Sequence, residues 1–152
     1  MPLVTEGQFE DGFGPDGRFV KFEREGNFII CDETTRPIGR IGFHDYNPED
    51  RHAGLAIFIG EKDVWSKGYG SEAIVAFGNW YFNIKGAHRL WLVVFADNLR
   101  AQRAYEKVGF VREGTWRENV YLDGKWADEH LYGLLRREYN ARYRPDLGET
   151  AL

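Results

Sequence analysis

The chain has 152 residues and a 43% hydrophobic composition, which is enough for one domain with a real core and too little for two. The net charge of -4 and the scattered Lys and Arg residues argue against nucleic-acid binding. Cys31 is the only cysteine, so an intramolecular disulfide is excluded and a cytoplasmic location is favoured, and no apolar stretch approaches the roughly 20 residues of a membrane span.

The first third of the chain predicts a short helix and then an antiparallel meander. Residues 1–18 are rich in Gly, Asp and Glu with isolated apolar residues, which indicates a short helix followed by a Gly-Pro-Asp-Gly turn. The pattern then favours strands at 19–23, 27–31 and 38–43, which are separated by short polar stretches.

The middle of the chain predicts a strand, a glycine turn and an amphipathic helix in succession. The apolar run at 55–59 is typical of a central strand that is covered on both faces. From Ser71 onward, apolar residues recur at spacings of mostly three and four until Gly86 ends the helix. Those apolar positions are Ala73, Ile74, Phe77, Trp80, Tyr81 and Ile84.

A second buried strand is predicted at 90–95, so strand, helix and strand follow one another with the spacing of a right-handed parallel crossover. Asn98 then caps a second helix, which Gly109 ends. The chain closes with strands at 110–121 and 126–134 on either side of Asp-Gly, a strong hairpin signal.

These elements predict a single domain over residues 1–152. Its class is α/β, with a sheet of mixed strand direction flanked by helices. The motifs lie in a core segment at 55–110, and a C-terminal hairpin occupies 110–134.

Residues 67–71, at the start of the first predicted helix, form a candidate phosphate cradle. Gly68 and Gly70 let the backbone approach an anion, and the free N–H groups and positive dipole end of the first turn point at it. Gly68-x-Gly70-x-x-Ala73 also fits the loose dinucleotide fingerprint. A tight turn that merely starts a helix is the third interpretation.

A second candidate site lies on the second predicted helix. Asn98 and Tyr105 are seven residues apart, or about two turns and roughly 10 Å, so both project from one stripe that can face a ligand. The alternative makes Asn98 a plain helix cap and Tyr105 a core aromatic residue with a hydrated hydroxyl.

The cradle together with Asn98-Leu-Arg-Ala-Gln-Arg-Ala-Tyr-Glu-Lys-Val-Gly-Phe resembles the GNAT superfamily of acyl-CoA-dependent N-acyltransferases. The sequence looks most like the branch of ribosomal-protein N-terminal and spermidine acetyltransferases, over roughly residues 2–137. This resemblance implies a splayed sheet, in which the strand ending at Gly60 and the strand ending near Ala96 diverge and the pantetheine arm lies in the gap.

Acetyl-CoA is the co-substrate that the resemblance implies. The strand backbone would bind pantetheine like an added strand, the amides of 67–71 would hold the pyrophosphate, and Arg103 would help with the nucleotide phosphates. His88 and His130 are interpreted as packed or surface residues, so no metal is predicted. The implied cofactor-binding residues are Phe58, Ile59, Gly60, Trp65, Lys67, Gly68, Tyr69, Gly70, Ser71, Asn98 and Arg103.

Acyl transfer from a thioester to a neutral amine needs an oxyanion donor, an acid and a base. A backbone N–H near Phe58 is the predicted oxyanion donor. The resemblance implies that Tyr105 is the acid that protonates the departing thiolate. Candidate bases are His44, Asp45, Glu49 and His52, each of which also fits a solvated loop residue. Among them we select His52.

Two departures from the family pattern stand out. Gly54 replaces a glutamate that related sequences often carry, so any base supplied by that glutamate is absent. Residues 2–6 resemble a segment that relatives reach only after an earlier strand and helix. The chain is therefore expected to lack those elements, and the exposed sheet edge favours a homodimer.

The leading functional hypothesis is an acetyl-CoA-dependent N-acetyltransferase that acts on a protein N-terminus, a polyamine or another small amine. One alternative is an acyl-CoA-binding module that has lost catalysis. A second alternative, a nucleotide-cofactor oxidoreductase, is disfavoured by the predicted meander before the glycine motif and by the hairpin after Gly109.

Overall fold

The computed structural model describes residues 3–6, 24–60 and 62–148. The strands are β1 at Leu3–Glu6, β2 at Gly26–Cys31, β3 at Pro37–Asn47, β4 at His52–Ile59, β5 at Arg89–Phe95, β6 at Val111–Leu122 and β7 at Lys125–Leu135. The α-helices are α1 at Tyr69–Asn79, α2 at Leu99–Val108 and α3 at Arg136–Tyr143. Short 3-10 turns occupy Lys62–Val64 and Pro145–Leu147.

The strands form one mixed sheet in the order β1-β2-β3-β4-β5-β7-β6. Neighbouring strands are antiparallel except β4 and β5, which run parallel. Within the described ranges, this parallel pairing covers only residues 52–54 against residues 89–91. Beyond Gly54 and Trp91 the two strands separate, which opens the β4–β5 gap toward their carboxyl ends. The predicted mixed, splayed sheet is confirmed.

The two faces of the sheet carry different residues. On one, here the helix face, Phe43 of β3 contacts the rings of Phe77 and Tyr81, with centroids 6.4 Å and 6.0 Å apart. Because side chains alternate along a strand, His44 and its cross-strand partner Gly54 lie on the opposite face, here the far face. Helix α2 packs beside α1 and therefore also covers the helix face.

A wider helical turn at Trp80–Ile84 continues α1 and changes which residues meet the core. The added residue per turn rotates Ile84 outward, where it is 70% exposed, and buries Phe82 instead. The predicted apolar stripe is thus confirmed as far as Tyr81, which is fully buried, and is wrong at Ile84.

Two other elements differ from the predictions. Leu3–Glu6 is an edge strand paired with β2, where the sequence predicted a short helix within 1–18, because this long-range pairing leaves no local periodic signal. Helix α3 was not predicted, since it is largely polar and buries only Tyr139 and Asn140. The predicted strand at 19–23 and the turn before it lie outside the described residues.

The remaining predicted elements are confirmed with small changes in length. They are the strands at 27–31, 38–43, 55–59 and 90–95, both helices of the motif core, and the C-terminal hairpin with its Asp-Gly turn. The prediction that the strand at 55–59 is covered on both faces is wrong, because Phe58 is 63% exposed. Among the described residues, no helix is both long and apolar enough to span a membrane.

Candidate active site

The backbone of β4 has one edge paired with β3 and one edge facing the β4–β5 gap. The Gly60 N–H donates to the Ile38 carbonyl at 2.9 Å. The Phe58 carbonyl lies against Gly39, so closely that a Cβ atom there would collide with it. The sequence predicted Phe58 and Gly60 as backbone contacts of a cofactor in the gap, but the structure turns these two groups toward β3.

Backbone groups of Ile57 and Ile59 face the gap instead, because successive residues alternate in direction along a strand. The Ile59 carbonyl accepts a hydrogen bond from Trp65 Nε1 at 2.9 Å, which fixes the indole at the wide end of the gap. The Arg100 guanidinium lies 4.4 Å from the centre of that indole. The sequence did not predict Arg100. It and the predicted Arg103 are both exposed on α2, but it is Arg100 that lies at the indole.

The predicted phosphate cradle is an uncapped helix start. Gly68 adopts the left-handed conformation at φ 87°, and no side chain caps α1. The Glu72 N–H donates to the Gly68 carbonyl, whereas the N–H groups at 69–71 have no acceptor within the helix. A Cβ atom at Gly70 would meet only Ile59 Cδ1, at 3.9 Å. The first turn therefore offers open space and free donors, which suits an anion.

One contact ties the cradle to the turn between β2 and β3, and a second ties the preceding 3-10 turn to it. The Tyr69 hydroxyl donates to Glu33 Oε2 at 2.5 Å, and Arg36 Nη2 donates to Asp63 Oδ2 at 3.0 Å. The hydrogen bond to Glu33 raises the pKa of Tyr69 to about 12, and the same bond lowers the pKa of Glu33. The sequence predicted Tyr69 only through its backbone amide, because a partner 36 residues away leaves no local signal.

Neighbouring members of the cradle differ in exposure. Lys67 is exposed just before the helix, and Ser71 is half-buried in its first turn. Both can reach an anion that is held by the amides of this turn.

The same β2–β3 turn makes a pH-dependent contribution to stability. Hydrogen bonds from Thr34 and Arg36 lower the pKa of Asp32 to about 2. A carboxylate with a depressed folded pKa stabilises the fold above its unfolded pKa, about 3.9, and this stabilisation is lost as the pH falls toward 2. Asp32→Asn is therefore expected to destabilise the protein at neutral pH, with a difference from wild type that shrinks in acid.

Urea unfolding of both proteins between about pH 7 and about pH 2.5 measures this difference. An Asp32→Asn penalty that stays constant across this range would contradict the assignment of the hydrogen bonds to the ionised carboxylate.

One side chain caps the start of α2, and a second one ties the helix to the end of β5. Asn98 caps it, with its Oδ1 accepting from the Ala101 N–H at 3.2 Å. Gln102 is buried and donates from Nε2 to the carbonyls of Phe95 and Ala96, at 3.1 Å and 3.0 Å. Asn98 is thus a helix cap, as the alternative interpretation predicted. Its side-chain NH2 group can still donate a hydrogen bond to a ligand. Gln102 was missed because a glutamine within a helix normally indicates solvent.

Tyr105 is partly buried, on the side of α2 that packs against the core. Its ring meets Phe110 edge-on, with centroids 6.0 Å apart, and burial raises its pKa above the ordinary value for tyrosine. Among the described residues its hydroxyl has no hydrogen-bond partner. A protonated phenol without a hydrogen-bond partner is suited to donate a proton.

The structure brings two of the four predicted bases, His44 and Asp45, into contact. His44 Nδ1 lies 2.9 Å from Asp45 Oδ2, and His52 Nδ1 lies 3.4 Å from Trp91 Nε1 as an acceptor. Glu49 is exposed in the turn between β3 and β4. Of the four, the two histidines contact Trp91, which pairs with Gly54 at the narrow end of the gap.

The other two histidines are a packed residue and a surface residue. His130 is buried and shares a hydrogen bond of 2.9 Å with Thr115 Oγ1, and His88 is exposed between α1 and β5. In the part of the chain that the structure describes, no three His, Cys, Asp or Glu side chains gather as metal ligands.

Comparison with known proteins relates this geometry to one family. The acetyltransferase (GNAT) domain profile matches residues 7–111. The uncharacterized N-acetyltransferase YoaA of Bacillus subtilis is 33% identical over 104 residues, which are 68% of this chain and 58% of that protein. The spermidine N(1)-acetyltransferase of Vibrio cholerae is 28% identical, over 76% of this chain and 66% of that protein. The chain thus spans less than two thirds of either relative.

Solved structures give the same result for the fold. Mutant forms of the spermidine/spermine N-acetyltransferase SpeG from Vibrio cholerae superpose with a TM-score of 0.73 and 28% sequence identity. The superposition covers 78% of this chain and 70% of SpeG.

Proposed function

This chain belongs to the GNAT acetyltransferase family, and from that membership we propose that it transfers the acetyl group of acetyl-CoA to a primary amine by direct attack on the thioester. The observation that carries the proposal is the β4–β5 gap, which has an uncapped glycine helix start at its wide end and the Tyr105 helix along its side. Acetyl-CoA needs both a groove for its pantetheine arm and donors for its pyrophosphate.

In the proposal, this chain's own groups hold the co-substrate as follows. The N–H groups at 69–71 and the side chains of Lys67 and Ser71 bind the pyrophosphate at the positive end of α1. The gap-facing backbone of Ile57 and Ile59 binds the pantetheine arm like an added strand.

Three further side chains complete this arrangement. The Asn98 amide donates to the pantetheine arm from the start of α2. The Trp65 indole packs against the nucleotide end of acetyl-CoA. Arg100, which lies against that indole, supplies positive charge there in place of the predicted Arg103.

The chemistry uses groups at the narrow part of the gap. A strand-edge N–H, with Ile57 in place of the predicted Phe58, stabilises the charge that develops on the carbonyl oxygen. Tyr105 donates its proton to the departing thiolate. The amine attacks in its neutral form, which an α-amine of pKa about 8 reaches more readily than an alkyl amine of pKa about 10.4.

We place the acceptor among polyamines, small amines and protein N-termini. The support is the name of a relative, the Vibrio cholerae spermidine N(1)-acetyltransferase, and the net charge of -4, which tolerates a cationic substrate. The dinucleotide interpretation of the glycine run has less support, because a doubly wound fold needs several parallel pairs and this sheet has one in its described part.

We also propose that the protein is a cytoplasmic homodimer, as the sequence predicts. The edge strand β6 exposes Val111, Trp116 and Tyr121, a surface that suits strand pairing or apolar contact with a second copy. Analytical ultracentrifugation of the purified protein measures the assembly state.

Release of free thiol from acetyl-CoA in the presence of an amine panel tests the function. The panel contains spermidine, a small monoamine, a lysine-containing peptide with a blocked N-terminus and a peptide with a free N-terminus. Thiol release that depends on one amine class, with an acetylated product of the expected mass, supports the proposal. Tight acetyl-CoA binding without release on any amine would favour the binding module instead.

A further inference from the structure

We propose that His44, held by Asp45 on the far face of the sheet, is the general base that accepts the proton of the attacking amine. This assignment rests on the proposed function and adds a residue role to it. It replaces the sequence selection of His52 with a neighbour that the fold places at the narrow end of the β4–β5 gap.

The imidazole of His44 occupies space that is open because the residue opposite it, Gly54, has no side chain. His44 pairs with Gly54, which is also the last residue of β4 to pair with β5. A Cβ atom at Gly54 would collide with the imidazole Cε1 atom and would lie 2.5 Å from Nε2 and 2.9 Å from Trp91 Cη2. The Cε1–Nε2 edge of the ring therefore occupies the space directly over the point where the strands separate.

A local irregularity of β3 couples the imidazole to a carboxylate. Adjacent residues of a regular strand point to opposite faces, so His44 and Asp45 would normally be kept apart. Here the pairing of β3 with β4 is interrupted between His44 and Asn47, and Asp45 takes a left-handed conformation at φ 55°. Such bulges re-aim side chains, and this one brings Asp45 Oδ2 to 2.9 Å from His44 Nδ1.

This contact determines which nitrogen can accept a proton. When Nδ1 carries its hydrogen and donates it to Asp45, Nε2 of the neutral ring is left with a free lone pair. Nε2 is also the nitrogen on the ring edge that lies over Gly54. Asp45 thus acts as a positioning residue that selects the basic tautomer and stabilises the imidazolium once it forms.

The acid and the base then lie on opposite faces of the gap. Tyr105 approaches from α2 on the helix face, and His44 approaches from the far face. As the amine nitrogen bonds to the thioester carbon and the C–S bond breaks, His44 Nε2 takes one proton from nitrogen and Tyr105 gives one to sulfur. Solvent then removes the proton from the imidazolium and returns one to the tyrosinate, which leaves an amide and a free thiol.

His52 is placed less well for this role. It lies two residues before Gly54, where β4 and β5 are still paired, and its Nδ1 accepts from the Trp91 indole at 3.4 Å. Trp91 contacts His44 edge-on, with ring centres 5.4 Å apart. Among the described residues that contact His44, Gly54 of β4 and Trp91 of β5 do not titrate, and Asp45 carries the carboxylate. His52 is the titratable group that contacts the same indole.

The experiment compares His44→Gln with the matched control His52→Gln in the full chain. For both, kcat and KM for the best amine are measured by thiol release, and acetyl-CoA affinity is measured by tryptophan fluorescence. His44→Gln is expected to lower kcat at least tenfold, which is less than the roughly hundredfold typical of a general base because water can also take the proton. Acetyl-CoA affinity is expected to stay within about twofold of wild type. His52→Gln is expected to stay within about threefold of wild type, well below the effect of an essential base.

Two further variants separate a base from a merely structural residue. Gly54→Ala is expected to displace the imidazole and reproduce the loss in kcat. Asp45→Asn keeps the shape of the side chain, but its amide can either accept from or donate to Nδ1, so the basic tautomer is no longer selected. We expect kcat to fall while KM for the amine and acetyl-CoA affinity stay within about twofold. A structural role alone would change KM or acetyl-CoA affinity together with kcat.

Two outcomes distinguish the two levels of the proposal. A His44→Gln variant with the kcat of wild type, or a His52→Gln variant with an equal loss of kcat, would overturn the assignment of the base. Either result would leave the proposed function intact. A wild-type protein that binds acetyl-CoA but acetylates no amine would overturn the proposed function, and the base assignment with it.

Discussion

Tyr105→Phe is expected to lower turnover about a hundredfold, at the modest end of the range for loss of a general acid. The departing thiolate would have to take its proton from water. The change removes only the hydroxyl, so the ring contact with Phe110 and the packing of α2 are retained. Because burial raises the pKa of this phenol, the hydroxyl is protonated and ready to donate at neutral pH.

The measurement is single-turnover thiol release with saturating acetyl-CoA and amine, together with acetyl-CoA affinity, which is expected to stay within about twofold. Tyr121→Phe is the matched control, since that tyrosine is 61% exposed on the hairpin and is expected to keep full activity. Unchanged turnover in Tyr105→Phe would remove the residue from the chemistry.

Gly70→Asp is expected to weaken acetyl-CoA binding about a hundredfold without destabilising the fold. Open space surrounds the Cβ position, and a carboxylate in the first turn of a helix is favourable for the free protein. The same carboxylate would lie beside the bound pyrophosphate. Repulsion of two charges about 4 Å apart near a protein surface amounts to a few kcal/mol, which is enough for two orders of magnitude in affinity.

Gly70→Asn serves as the control, because asparagine has nearly the same shape without the charge. It is expected to lose far less affinity in a fluorescence titration with acetyl-CoA, and both variants are expected to match or exceed the wild-type Tm. Equal losses in the two variants would show that the space over Gly70, rather than its electrostatics, matters for binding. Undiminished binding in Gly70→Asp would place the pyrophosphate elsewhere.

The elements that could be predicted are those with a local periodic signal. The strands at 55–59 and 90–95, the stripe from Ala73 to Tyr81 and the Asp-Gly hairpin all follow from side-chain spacing within a few turns or one strand. Helix α3 has no such stripe and is held by distant contacts, such as the Tyr139 hydroxyl bound to the Val75 carbonyl at 2.5 Å, so it was missed.

One part of the candidate site could likewise be predicted from a local signal, and another part could not. The cradle depends on glycines at the start of one helix, so its location could be inferred from a short segment, and the structure shows an uncapped first turn there. The backbone direction of Phe58, Ile59 and Gly60 depends on which neighbour pairs with each edge of β4, and this cannot be inferred from the strand alone.

The sequence by itself determined the order of the elements from β2 to β7, the glycine helix start and the Asn98 cap, because each rests on contacts between residues close along the chain. Only the tertiary structure decided how far β4 and β5 pair, which strand edge faces the gap, and which histidine lies over Gly54. These features depend on cross-strand register and on a bulge at Asp45, which long-range pairing imposes.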